Sequence, residues 1–168
     1  MRRKTINVGM SKSSIDNAIK EIRNYQQSII EKSELLALRL AEIGVGIAEM
    51  KIGEFDAVYS GTLISSMKLR KGDVIQNGAV YYVYTDCPWA KFVEFGTGIV
   101  GQSQSHPMSD IFGWRYDINN HGEHGWFYFK DGEWHWTNGM PSRPFMLETA
   151  WELSERIAKV AREVFSNV

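Results

Sequence analysis

Apolar residues recur every three, four or seven positions through the first third of the chain, at Ile15, Ile19, Ile22, Ile29, Leu36, Leu40, Ile43, Ile47 and Met50. This spacing predicts one apolar stripe along a long helix. Ser13 or Ser14 is the expected N-cap, because a serine hydroxyl accepts from the free amides of a first turn. Unbroken, the helix would extend roughly 50 Å at 1.5 Å per residue, which is more than a small domain covers. We therefore expect either a break near residues 26–33 or packing of part of the helix on a neighbouring subunit.

Two glycines, Gly44 and Gly46, lie near the end of this predicted helix. Each weakens the helix by about 1 kcal/mol relative to Ala. Their small size would also let another backbone approach closely, so either interpretation is open.

A first hairpin is predicted from residues 74–76 and 79–84. The two segments flank Asn77-Gly78, and both of these residues tolerate the positive φ of a tight turn.

A second hairpin is predicted from residues 126–129 and 134–137, within an aromatic insertion at about 112–140. Strand alternation places Trp126 with Tyr128 on one face of the first strand. It also places Trp134 with Trp136 on one face of the returning strand.

The segment 89–95 has large residues at alternating positions on both faces, and a Gly96-Thr97-Gly98 turn closes it. This pattern predicts a central strand. Glu94 lies within it, and an isolated charge in apolar surroundings costs several kcal/mol. We expect Glu94 to accept from the amides of 96–98 or to pair with Arg143. The alternative is an edge-strand glutamate facing water.

Residues 99–113 are predicted to form a loop, and residues 146–165 an amphipathic helix. The element order predicts an α+β fold with a long N-terminal helix, a mostly antiparallel sheet with hairpins, and a C-terminal amphipathic helix packed on the sheet. Residues 1–13 are expected to be a flexible basic arm, and residues 14–168 a single domain.

The composition is that of an ordinary globular protein: 168 residues, 43% hydrophobic and 23% charged, with a net charge of −1. This balance gives no support to a nucleic-acid or anionic-membrane partner. The single cysteine, Cys87, excludes an internal disulfide and is expected to be a small buried hydrophobe. No apolar run approaches the roughly 20 residues that span a bilayer.

His121, Glu123 and His124 are candidate metal ligands, with His135 opposite them across the hairpin. Zinc needs three or four convergent ligands. The three residues lie in a Gly-rich turn without a second spaced pair of ligands, so we expect a solvated loop and no metal or other cofactor.

Motifs for catalysis are also missing. Ser60-Gly61 lacks the flanking pattern of a nucleophile elbow. The Gly96–Gly98 turn lacks the lysine and helix that follow a phosphate-binding loop. We expect no catalytic residues and no enzymatic activity.

The tryptophan-rich hairpin, with Trp126, Tyr128, Trp134 and Trp136, has two interpretations. Exposed aromatic faces stack on sugars or bases. Against nucleic acid, nearby Asp131 and other acidic residues repel phosphate. The favoured interpretation is packing on the sheet or on another subunit.

Three separated segments resemble one protein family. Residues 60–67 resemble its "TGxLxxSI" segment, residues 89–98 its "YAxxVEFGT" core, and residues 143–150 its "xPFlxPA" entry into the last helix. The matching positions are Gly61, Thr62, Leu63, Ala90, Val93, Glu94, Phe95, Gly96, Thr97, Arg143, Pro144 and Phe145. Together they resemble the minor tail, or tail-completion, proteins of tailed bacteriophages and prophages. The chain departs from the pattern where Ala57-Val58-Tyr59 replaces a proline and where Thr149 replaces another.

The resemblance implies a structural virion protein with no catalytic residues. It implies a homo-oligomeric, commonly hexameric, ring at the head–tail junction, assembled in the bacterial host cytoplasm and located in the neck of the virion. The implied partners are connector or head-completion proteins and tail-terminator or tail-tube proteins, with genomic DNA at most passing through the lumen and no membrane. The alternative function is a carbohydrate- or nucleic-acid-binding module that uses the tryptophan-rich hairpin.

Overall fold

The computed structural model describes residues 5–57, 61–73, 78–117 and 125–166. The elements, in chain order, are α1 (Lys12–Glu54), α2 (Thr62–Ser65), β1 (Met67–Lys71), β2 (Tyr81–Thr85), α3 (Ala90–Phe95), α4 (Gly98–Ser103), α5 (Ser109–Phe112), β3 (Trp126–Lys130), β4 (Glu133–Thr137) and α6 (Phe145–Phe165). The predicted α+β class, with its long first helix and its C-terminal helix, is confirmed. Among the described residues, no helix combines the length and apolarity needed to span a bilayer.

Helix α1 is continuous over 43 residues, which corresponds to about 64 Å. Of the two alternatives expected for this helix, the break near 26–33 is therefore wrong. Its cap is Ser11, whose hydroxyl accepts from the amide of Ser14, so the predicted caps Ser13 and Ser14 were wrong by two or three positions. The basic residues of the predicted arm, positions 2–4, lie outside the described residues.

The most extensive contact between elements joins α1 to α6. Helix α6 has 21 residues, about 31 Å, and so can cover only half the length of α1. Lys51 of α1 links the two helices through Glu148, at 3.2 Å, and Glu152, at 3.6 Å. Its hydrogen bonds to Glu54 and Glu148 raise the pKa of the Lys51 ammonium group. The predicted packing of α6 on a sheet is replaced chiefly by packing along α1.

The two helix glycines differ in their surroundings. A Cβ atom at Gly44 would lie 3.0 Å from Cγ2 of Val83 and 3.4 Å from Cδ2 of Leu153. A Cβ atom at Gly46 would meet no atom of the described residues within 4 Å. Gly44 therefore permits the close approach of α1 to β2 and α6, whereas Gly46 serves no such contact.

The strands form two separate antiparallel pairs. β1 pairs with β2, and Met67 lies opposite Thr85. β2 matches the predicted strand 79–84, but the sequence analysis did not predict its partner strand β1. The predicted partner, 74–76, lies outside the described residues. β3 and β4 form the second predicted hairpin.

The predicted central strand 89–95 was wrong: Trp89 is an N-cap, and residues 90–95 form the helix α3. A short segment that is apolar on both faces fits a buried helix as well as a buried strand, and periodicity alone does not separate them. The predicted loop 99–113 was also wrong in part, since it contains most of α4 and all of α5.

One core joins the elements. Its buried members are Ala48, Ile52, Leu63, Met67, Cys87, Ala90, Val93 and Phe145. They come from α1, α2, β1, the turn before α3, α3 itself and the start of α6. The prediction that Cys87 is a buried hydrophobe is confirmed.

Candidate functional site

Glu94 of α3 lies beneath the first turn of α6 and is only 7% exposed. Its Oε2 accepts from the amide of Met146 at 2.8 Å, and its Oε1 accepts from the amide of Leu147 at 3.0 Å. The N-cap of α6 is Pro144, which has no side-chain oxygen to accept from these free amides. Glu94 therefore caps α6 from another helix, where the positive end of the helix dipole also favours a carboxylate.

The partners expected for Glu94 were wrong. The amides of Gly96, Thr97 and Gly98 donate instead to carbonyls of Phe92, Met140 and Tyr116. Arg143 contributes its backbone amide, which donates to the Val93 carbonyl at 2.9 Å. The alternative of a water-facing edge glutamate is also wrong, because Glu94 is buried.

His106 completes the Glu94 cluster and was missed by the sequence analysis. It is 2% exposed, and its Nε2 lies 3.2 Å from Oε1 of Glu94. Its Nδ1 accepts from the amide of Met108 at 3.0 Å, which leaves the proton on Nε2 to be donated to Glu94. One signal in the sequence pointed to such a residue: a carboxylate buried among apolar residues requires hydrogen-bond donors.

Burial raises the pKa of the Glu94 carboxyl, while the amides of Met146 and Leu147 and the His106 donor act in the opposite direction. Both oxygens of Glu94 already accept hydrogen bonds from the protein. The cluster therefore suits the fastening of α3 to α6 rather than proton transfer to a ligand.

A groove with a volume of about 480 Å³ lies beside this cluster, and we call it the α3–α6 groove. The described residues that line it include Ala90, Lys91, Phe95, Phe112, Leu147 and Ala150, and its accessible lining is almost wholly apolar. Glu94 and His106 also line it. The groove can therefore receive an apolar group but offers few polar contacts that would orient a small substrate.

The residues of the three resembling segments lie close together. Leu63, Ala90, Val93 and Phe145 share the core, Pro144 is the N-cap of α6, and Gly61 is the N-cap of α2 at φ 71°. Thr97 pairs with Met140 through two backbone hydrogen bonds.

Two further positions of these segments support the contacts around α3. Gly96, at φ 78°, has no room for a Cβ, which would lie 2.7 Å from the amide nitrogen of Ser142. Phe95 stacks on Trp114 with ring centroids 4.8 Å apart.

The second hairpin carries aromatic residues on both faces. Phe127 lies opposite Trp136 and Phe129 opposite Trp134, with ring centroids 4.7 and 5.4 Å apart. Directly opposed residues share a face. We call these four residues, which are 51–69% exposed, the outer aromatic face.

The opposite face carries Trp126 and Tyr128, so the four predicted interface residues do not share one surface. A Cβ at Gly98 would lie 3.0 Å from Cζ3 of Trp126, and Tyr128 stacks on His135 at 5.4 Å. A second cavity, of about 570 Å³, is lined by residues of this face, by Thr97 and Met140, and also by Phe129 of the outer aromatic face.

Within the described ranges, no group of three or more His, Cys, Asp and Glu side chains could hold a metal ion. His121, Glu123 and His124 lie outside those ranges.

Comparisons with family models, with curated proteins and with solved structures give no match.

Proposed function

We propose that this protein is a structural component of a tailed phage or prophage particle, located in the neck and forming a ring at the head–tail junction. It works through protein–protein contacts with copies of itself, with connector or head-completion proteins, and with tail-terminator or tail-tube proteins. No catalysis or cofactor is part of the proposal.

The observation that carries the proposal is the convergence of the three segments that resemble tail-completion proteins. Leu63, Val93 and Phe145 come from different segments and belong to one buried cluster. Glu94 of the second segment accepts from the amides that follow Phe145 in the third. The resembling residues therefore act together as a structural unit, as expected if they preserve a fold.

The exposed apolar surface supports an assembly role. Ile15, Ile19 and Ile22, which are 43–54% exposed, continue the α1 stripe on the half of that helix that α6 is too short to cover. The outer aromatic face is a second exposed apolar surface. Large exposed apolar surfaces mark sites of protein–protein contact.

Deletion of the gene from the phage or prophage that encodes it tests the proposal. We expect full heads and complete tails that fail to join, as seen by electron microscopy. A plasmid copy should restore joined, infectious particles that contain the protein by mass spectrometry. Normal particles from the deletion strain would overturn the proposal.

A carbohydrate-binding module is the second candidate, because four exposed aromatic rings share the outer aromatic face. Sugar rings stack on such residues. Binding to a glycan array that is lost in Trp134→Ala, together with normal particles from the deletion strain, would favour this candidate. Oligonucleotide gel shifts test the nucleic-acid alternative in the same way.

A further inference from the structure

We propose that the outer aromatic face of one copy of this chain docks into the α3–α6 groove of the next copy. The inference rests on the proposed function, because it identifies the two surfaces by which subunits of the ring would meet. Each contact in a closed ring of more than two subunits is head-to-tail, so every subunit must present two different and complementary surfaces.

The first surface is the outer aromatic face of the hairpin. Phe127, Phe129, Trp134 and Trp136 are each more than half exposed. Their edge-on pairing produces one continuous aromatic surface across both strands. Aromatic residues are enriched in the buried centres of protein–protein interfaces.

The second surface is concave and almost wholly apolar. Its volume of about 480 Å³ lies within the range of roughly 300–1,000 Å³ found for pockets that bury a drug-sized ligand. The two buried polar side chains that line it, Glu94 and His106, are already bonded to each other and to backbone amides. An apolar occupant would therefore leave no buried charge without a partner.

The two surfaces can be used at once by one subunit, because they share no residue. The hairpin is fastened at its base, where Thr97 and Met140 exchange backbone hydrogen bonds and the amide of Val100 donates to Asn138. The groove is built from α3, α5 and the start of α6.

The charges near the two surfaces favour docking with the hairpin turn of one copy close to Lys91 of the next. The hairpin turn carries Lys130, Asp131 and Glu133, which sum to one negative charge. Lys91, an exposed residue of α3, contributes the aliphatic part of its side chain to the groove, and its ammonium group lies 5.1 Å from the centroid of the Phe92 ring. Opposite charges on two docking surfaces increase the rate of encounter and select the register.

The surface area that the four aromatic rings can bury predicts a weak contact between two isolated copies. A fully buried aromatic side chain covers about 150–250 Å², so four half-exposed rings offer roughly 400 Å², or about 800 Å² when both partners are counted. Ring closure holds each subunit at two such contacts and strengthens the assembly. Detection in solution therefore requires a method that traps short-lived complexes.

Disulfide trapping between two single-substitution variants tests the proposal. Lys91→Cys places a thiol at the groove, and Asp131→Cys places one at the hairpin turn. Cys87 is buried and is present in every sample. Mixed under mild oxidation, the pair should form the hetero-disulfide about ten-fold faster than Asp131→Cys with Lys159→Cys, because docking raises the effective concentration of the two thiols. Lys159 is an exposed lysine of α6 outside the groove lining.

A second substitution identifies the aromatic contact. Trp134→Ser, added to the Asp131→Cys chain, should remove the ten-fold excess. Trp151→Ser, which alters another half-exposed tryptophan, should leave it intact. Equal rates for the two cysteine pairs, or an excess that survives Trp134→Ser, would overturn the proposal.

The disulfide-trapping result and the gene-deletion result can be distinguished from each other. Equal rates, with the protein present in particles and required for joining, would mean that the ring uses other surfaces. A ten-fold excess with normal deletion particles would retain the contact between copies and reject the neck function.

Discussion

Glu94 of α3 accepts a hydrogen bond from the backbone amide of Met146, 2.8 Å away in the first turn of α6. The two residues are 52 positions apart in sequence. The bond joins the segment before the aromatic hairpin to the helix that follows it. Because Pro144 leaves the start of α6 without a side-chain cap, this contact fixes where the last helix begins.

Glu94→Ala should destabilise the protein by about 3 kcal/mol, because two backbone amides and the Nε2–H of His106 lose their acceptor in a buried site. Urea denaturation followed by circular dichroism measures the change. The control is Glu155→Ala at an exposed position of the same helix that Glu94 caps, where we expect a change within about 0.5 kcal/mol. Equal losses at the two sites would contradict the capping role.

The pH dependence of stability should report the burial of Glu94. Burial raises the pKa of this carboxyl above its ordinary value of 4.5, so between the two values the folded state binds more protons than the unfolded state. The stabilisation contributed by the group is therefore complete below pH 4.5 and is lost as the pH rises through the raised pKa.

Comparison with Glu94→Gln, which does not titrate at this site, isolates that contribution. The free energy of unfolding of the wild type minus that of the variant should decrease as the pH rises from 4.5 toward neutrality. An increase over the same window would show that the three hydrogen bonds outweigh burial.

Two alanine substitutions in α1 should differ in effect. Gly46→Ala should stabilise the protein by about 1 kcal/mol, because it adds helix propensity in open space. Gly44→Ala should stabilise the protein by less than Gly46→Ala does, or should destabilise it, because Val83 must move to admit the new methyl group. Thermal denaturation of both variants measures the difference, and an equal gain at both sites would show that the contact at Gly44 is loose.

Gly139 holds the base of the aromatic hairpin against the turn after α3. Its φ is 101°, and a Cβ there would lie 1.9 Å from the carbonyl oxygen of Thr97. Gly139→Ala should cost about 3 kcal/mol, the sum of backbone strain and a steric clash. Gly132→Ala, at φ 87° in the hairpin turn with open space around it, should cost only the strain, about 1–2 kcal/mol. Equal unfolding free energies for the two variants would be inconsistent with this packing.

The same substitution at two points of the α1 stripe should separate the half of the helix that α6 covers from the half beyond the reach of α6. Ile47→Ser, at 4% exposure, should cost about 4 kcal/mol. Ile22→Ser, at 54% exposure, should cost about 1 kcal/mol or less in the isolated protein. Urea denaturation measures both, and a large loss at Ile22 would mean that the monomer already covers this segment.

The outcome for the Glu94 region shows where sequence reasoning reached its limit. A carboxylate in an apolar segment had to be hydrogen-bonded, and it is, but its partners lie at 106, 146 and 147 rather than at 96–98 or Arg143. The error followed from interpreting 89–95 as a strand. Alternation and helical spacing overlap in a segment this short, so only its neighbours decide between them.

The sequence by itself determined the long first helix, the amphipathic last helix, the aromatic hairpin and the burial of Cys87, because each is set by local periodicity, turn chemistry or residue type. Only the tertiary structure decided that α1 continues past the end of α6, that β2 pairs with β1, and that His106 and Glu94 meet. It also decided that Trp134 and Trp136 face away from Trp126 and Tyr128, because the cross-strand register, and not the spacing within each strand, fixes which residues share a face.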